Sequence, residues 1–82
     1  MEARAKVFRS ARAKAESLYP YVAISERTPT RESLTAYGRT ALSAAEALVK
    51  LLRECEGEGI RLHVSQLVSR RGGVGVRQDY TI

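Results

Sequence analysis

The sequence predicts an α+β domain: two helices packed on a small, roughly three-stranded sheet that ends in a β-hairpin, in the order α-β-α-β-β. Three observations predict it. The N-terminal stretch is rich in alanine and free of Gly and Pro, the middle of the chain spaces its apolar residues by three and four, and the last third alternates them. At 82 residues the chain is a single small domain, 1–82. A domain of this size buries only about two-thirds of the surface its unfolded form exposes, which favours pairing with a second copy, a homodimer.

The first predicted helix covers residues 2–18. At 100° per residue, Val7, Phe8, Ala11, Ala15 and Leu18 fall in one arc, with Lys6, Arg9 and Arg12 opposite. Its outer face is basic, carrying Arg4, Lys6, Arg9, Arg12 and Lys14. Pro20 ends it, and Tyr21 to Arg27 alternates as a short strand. Thr28-Pro29 reads as the start of the second helix, a hydroxyl cap followed by proline at the first helical position. From there Leu34, Tyr37, Ala41, Ala45, Leu48, Leu52 and Cys55 recur at helical spacing to about Glu56, and Gly57 and Gly59 supply the stop. This places Tyr37 and Cys55 in the core. Gly38 lies inside the predicted helix at a cost of about 1 kcal/mol. The competing reading makes residues 33–37 a strand and starts the helix after Gly38; unbroken apolar spacing favours the continuous helix.

Residues 60–68 and 74–82 alternate around Ser69-Arg70-Arg71-Gly72-Gly73, a hairpin pattern that sets Val68 opposite Val74 and Leu62 opposite Tyr80. Its tip is the sharpest functional feature. Arg70 and Arg71 stand beside Gly72 and Gly73, where a backbone without side chains approaches another surface closely. Arg61, His63 and Arg77 share the polar face of the same hairpin.

Charge indicates the partner. Fourteen Lys and Arg against nine Asp and Glu give a formal +5 and a pI near 9.9, and eleven of the cations are Arg. Guanidinium groups suit phosphates and base edges. The expected function is therefore nucleic-acid binding, to DNA or structured RNA, without catalysis, through Arg70, Arg71, Gly72, Gly73, Arg61, Arg77, Lys6, Arg9 and Arg12. Tyr19, Tyr21 and Tyr37 are candidates to stack on bases, but Tyr37 lies on the apolar helix arc, and aromatic residues make up only 6% and form no evident stripe, which disfavours stacking on single strands. The alternative is a protein-interaction subunit, docked by its long amphipathic helix in a larger assembly such as a ribonucleoprotein.

Other classes find little in the sequence. One Cys and one His cannot complete a structural zinc site, no phosphate-binding loop occurs, and no cofactor is expected. No apolar run reaches membrane-spanning length and no signal peptide begins the chain, so a cytoplasmic protein, associated with nucleoid or ribonucleoprotein, is expected. Plentiful Arg, Glu and Ala with few thermolabile residues matches heat-adapted, thermophile composition.

The order helix, strand, long helix and basic-tipped hairpin resembles the later five elements of the archaeal Alba family, whose fold is strand, helix, strand, helix, strand, strand. Tyr37-Gly38-Arg39 is similar to the Gly-Arg that the family carries at its second helix, a match that requires the strand reading of residues 33–37. The resemblance implies a small basic dimer that binds DNA and RNA, with Arg70, Arg71, Gly72 and Gly73 at the tip of an arm reaching toward the minor groove. On the helical reading of residues 2–18 the family's first strand is absent, with the paired lysines that precede its first helix.

Overall fold

The computed structural model of the chain describes residues 2–10, 18–29, 31–69 and 75–82. Among them are five strands and one helix: β1 (Glu2–Arg9), β2 (Tyr21–Ser25), β3 (Thr35–Gly38), α1 (Ala41–Glu56), β4 (Arg61–Ser69) and β5 (Gly75–Thr81). The strands form one mixed sheet in the order β3-β2-β1-β4-β5. β1 is antiparallel to β2 and parallel to β4, while β2–β3 and β4–β5 are antiparallel. This corrects the predicted fold class of two helices on about three strands.

The N-terminal correction has a clear physical cause. Residues 2–9 alternate strictly, with Ala3, Ala5 and Val7 buried and Glu2, Arg4, Lys6 and Phe8 exposed. That is the two-residue period of a strand with one covered face. Alanine's high helix propensity and low β propensity point the other way, and tertiary pairing on both edges overrides them. β1 is thereby the central strand. Residues 11–17 of the predicted first helix lie outside the described residues.

The second helix is also shorter than the spacing implies. Thr28 and Arg31 exchange backbone hydrogen bonds, at 2.9 and 3.3 Å, so the Thr-Pro pair makes a turn instead of a helix start. Thr35–Gly38 then pairs with β2. The helix begins only at Ala41, capped by Thr40: Ser43 N donates to Thr40 Oγ1 (3.1 Å) and Thr40 N donates to Ser43 Oγ (3.0 Å), a reciprocal capping box. It ends where the glycines predict, with Gly57 at φ 98° and its N–H donating to Arg53 O. Tyr37 is 61% exposed and Cys55 is exposed, so neither is core.

Gly38 explains where strand and helix meet. A Cβ at this position would stand 2.3 Å from Ala44 N and 2.5 Å from Ser43 Oγ. Only glycine lets β3 come this close to the first turn of α1. The helix-facing side of the sheet is made mostly of small residues, Ala3, Ala5, Ala23 and Ala36, and the large core side chains come from Leu48, Leu52, Leu62 and the valines. α1 packs chiefly over β3 and β2 and reaches β1 and β4.

Two polar contacts tie the β2–β3 connection down. The Ser25 side chain is buried and its Oγ accepts from Leu34 N at 2.8 Å. Arg31 reaches Glu56 at the helix C-terminus at 2.7 Å, with both side chains largely buried.

In the C-terminal hairpin, Val68 pairs with Val76 and Val64 with Tyr80, while Leu62 and Ile82 exchange backbone hydrogen bonds. The register is two residues away from the one that the alternation suggests. A shift of two keeps every side chain on its predicted face, so hydrophobic pattern alone cannot distinguish the two registers.

Candidate nucleic-acid interface

The face of the sheet turned away from α1 has no second layer among the described residues, and strand register determines what stands on it. Arg4 on β1 pairs with His63 on β4, which pairs with Thr81 on β5; Lys6 is followed in the same way by Ser65 and Asp79. Glu2 pairs with Arg61, and Arg77 stands on β5 next to the Asp79 position. Arg4, Lys6, His63, Ser65, Arg77, Asp79 and Thr81, with Glu26, line one shallow open depression.

Three of the sequence-predicted cations, Lys6, Arg61 and Arg77, are thus brought to one face, joined by Arg4. Arg9, also predicted, is exposed at the end of β1 but shares the parity of Val7, so it projects to the opposite side. Arg12, Arg70, Arg71, Gly72 and Gly73 lie outside the described residues.

The side chains are held to different degrees. Arg77 Nε donates to Ser65 Oγ at 2.7 Å and to Asp79 Oδ1 at 3.3 Å, although its side chain is 70% exposed. The inner edge of this guanidinium is anchored and its outer edge faces solvent, a pre-oriented fork suited to a phosphate or carboxylate. Arg4, Lys6 and Arg61 form no ion pair with a described residue. His63 lies between Glu2 and Thr81, its Nε2 3.2 Å from Glu2 Oε1 and its Nδ1 3.2 Å from Thr81 Oγ1.

Charge is distributed unevenly between the two sides of the molecule. Around the helix, Arg39, Lys50 and Arg53 offset Glu46, Glu54 and Glu58, and Arg27 and Arg31 are paired with Glu32 and Glu56. β1, the segment after it and the β4–β5 hairpin therefore carry a net +6, and Glu26 brings the whole chain to +5. Parallel pairing of β1 with β4 brings these segments together: β1 leaves the sheet at Arg9, at the end where β4 runs on past Gln66 into the hairpin.

Two further residues of this face are Phe8, which the sequence does not single out, and Tyr37, which it offers for stacking but assigns to the core. Phe8, 38% exposed, and Tyr37, 61% exposed, flank Val22 in one cross-strand row, Phe8–Val22–Tyr37. Both fall on apolar arcs in the helical reading. The two-residue alternation of Glu2 to Phe8 separates Phe8 from Val7 and was the available signal.

For metal chemistry, the described residues contain no cluster of three His, Cys, Asp or Glu side chains. None of the described helices is long and apolar enough to cross a membrane. Comparison with protein-family models, with curated proteins and with solved structures finds no match to this chain.

Proposed function

We propose that this protein is a non-catalytic nucleic-acid-binding module whose open sheet face and β4–β5 hairpin contact the sugar–phosphate backbone. The observation that carries the reading is the parallel β1–β4 pairing which, with β5 beside β4, gathers Arg4, Lys6, Arg61 and the anchored Arg77 on one face, in a chain whose sequence sets Arg70 and Arg71 between β4 and β5. Phosphate contacts of this kind supply affinity without sequence readout. The order helix, strand, long helix and hairpin on which the Alba resemblance rests is not the order observed. From Thr35 onward the order strand, helix, strand, strand with Gly38-Arg39 at the helix entry matches that family, whereas between β1 and β3 the described residues hold the strand β2 and not the family's first helix.

The reading includes a homodimer. Exposed Leu42 and Leu51 on α1 give a second copy apolar surface on the helix side of the sheet. Docking in a larger assembly through α1 is the weaker reading, because Ala44, Ala45, Leu48, Val49 and Leu52, most of its apolar arc, are already buried against the chain's own sheet.

The test is titration of DNA and RNA at several salt concentrations. A linear fall of log affinity with log salt supports the reading. Absent or salt-independent binding overturns it.

A further inference from the structure

The Phe8–Val22–Tyr37 row is not explained by phosphate contacts. Phe8 stands on the central strand and Tyr37 on the edge strand, both exposed and of the strand parity that faces away from α1, with buried Val22 between them; at the sheet edge Tyr37 also borders a groove with Tyr19 and with Ala47, Lys50, Leu51 and Glu54 of α1. Neighbouring strands lie about 4.8 Å apart, so the two rings are rooted roughly 10 Å from one another. Each ring is far enough from the other to take its own base. On β1 the same face continues, two residues at a time, through Lys6 to Arg4, and two strands away stands Arg77 with its outer edge free.

We propose, building on the nucleic-acid reading above, that the ligand of this face is single-stranded nucleic acid, with one base stacked on Phe8, another on Tyr37, and the phosphates that continue along β1 beyond the Phe8 base on Lys6 and Arg4. Unpaired bases present their π-faces to aromatic side chains, whereas bases in a duplex are already stacked and bring only their phosphates. A duplex therefore uses the cations and leaves the aromatic row unused. This reverses the expectation from composition that stacking is disfavoured: few aromatics suffice when two of them share one row of an open sheet.

The experiment measures binding of a labelled oligonucleotide of about fifteen nucleotides, as RNA and as DNA, each single-stranded and as its duplex. For Phe8→Ala and Tyr37→Ala the expected result is a loss of about tenfold in single-strand affinity per ring, with duplex affinity and salt slope unchanged. Phe8→Tyr retains binding. Since the chain has no Trp, Tyr37→Trp adds a sole tryptophan, whose fluorescence is quenched by the single strands and not by the duplexes. The RNA and DNA arms identify which single strand is preferred. Single-strand affinity unchanged in the folded Phe8→Ala/Tyr37→Ala double variant, together with an unquenched Tyr37→Trp, overturns the stacking proposal while leaving phosphate binding intact. No salt-dependent binding to any of the four forms overturns both.

Discussion

The two faces of the sheet come from one alternation and carry opposite contents. Toward α1 stand Ala3, Ala5, Val7, Ala23, Ala36, Leu62 and Val64, none more than 5% exposed. Away from it stand Arg4, Lys6, Phe8, Arg61, Tyr37 and Arg77, all exposed. The covered face is made mostly of small residues so that one helix can lie close; the open face has long, polar or aromatic side chains with no layer over them among the described residues. The difference divides the labour: substitutions on the covered side should alter stability, and those on the open side should alter binding while stability stays within about 0.5 kcal/mol.

The largest expected effect is at the tightest point of the covered face. Gly38→Ala forces a methyl group into the backbone of the first turn of α1, and we predict a loss of about 3 kcal/mol, read as a lower urea midpoint. An unchanged midpoint would mean that strand and helix are not in the close contact described.

Next is the pair that fastens the turn at Thr28 to the end of the helix. Glu56→Gln leaves the largely buried Arg31 guanidinium without its carboxylate, 2.7 Å away in the native protein, and should cost about 2 kcal/mol. The exposed pair Arg27–Glu32 is the control; its loss should be barely measurable.

The smallest effect sharpens the boundary between the faces. The Tyr80 hydroxyl is buried without a hydrogen-bond partner among the described residues, and burial, then the nearby charge of Glu46, raise the phenol above its ordinary value of 10.0. The folded chain holds this proton at a pH where the unfolded chain has released it. The contribution to stability is therefore fully present below pH 10 and is lost as pH rises from there through the folded value. Tyr80→Phe should remove this part of the alkaline decline and leave neutral stability equal or higher by up to about 1 kcal/mol. A steeper alkaline loss in the variant would contradict the assignment.

The sequence is legible where period and composition agree. Leu48, Leu52 and the Gly57 stop identify the helix, and alternation from Ile60 to Ile82 identifies the hairpin and its faces, though not its register. Residues 2–9 show what happens when the two signals conflict: alanine suggests helix, the alternation gives strand, and the alternation prevails because both edges are paired. Gly38 shows a local cost acting as a signal. Its penalty inside a helix was outweighed by continuous apolar spacing, whereas its real role, a close approach between strand and helix, depends on tertiary structure that no local window contains. Lys6, Arg61 and Arg77 could be selected from the sequence as cations, but their meeting on one face depends on β1 lying parallel to β4. Phe8 and Tyr37 were hidden by the same two misreadings.

The central claim is that the open face binds phosphates without supporting the fold. It is tested most directly by comparing wild type with Arg4→Ala/Lys6→Ala in salt-resolved nucleic-acid titrations, with urea unfolding measured on the same samples. The account predicts weaker binding, a log–log salt slope reduced by about 1 for each phosphate contact removed, and an unfolding midpoint close to that of wild type. An unchanged salt slope, or a loss of binding that merely follows a loss of stability, would contradict it.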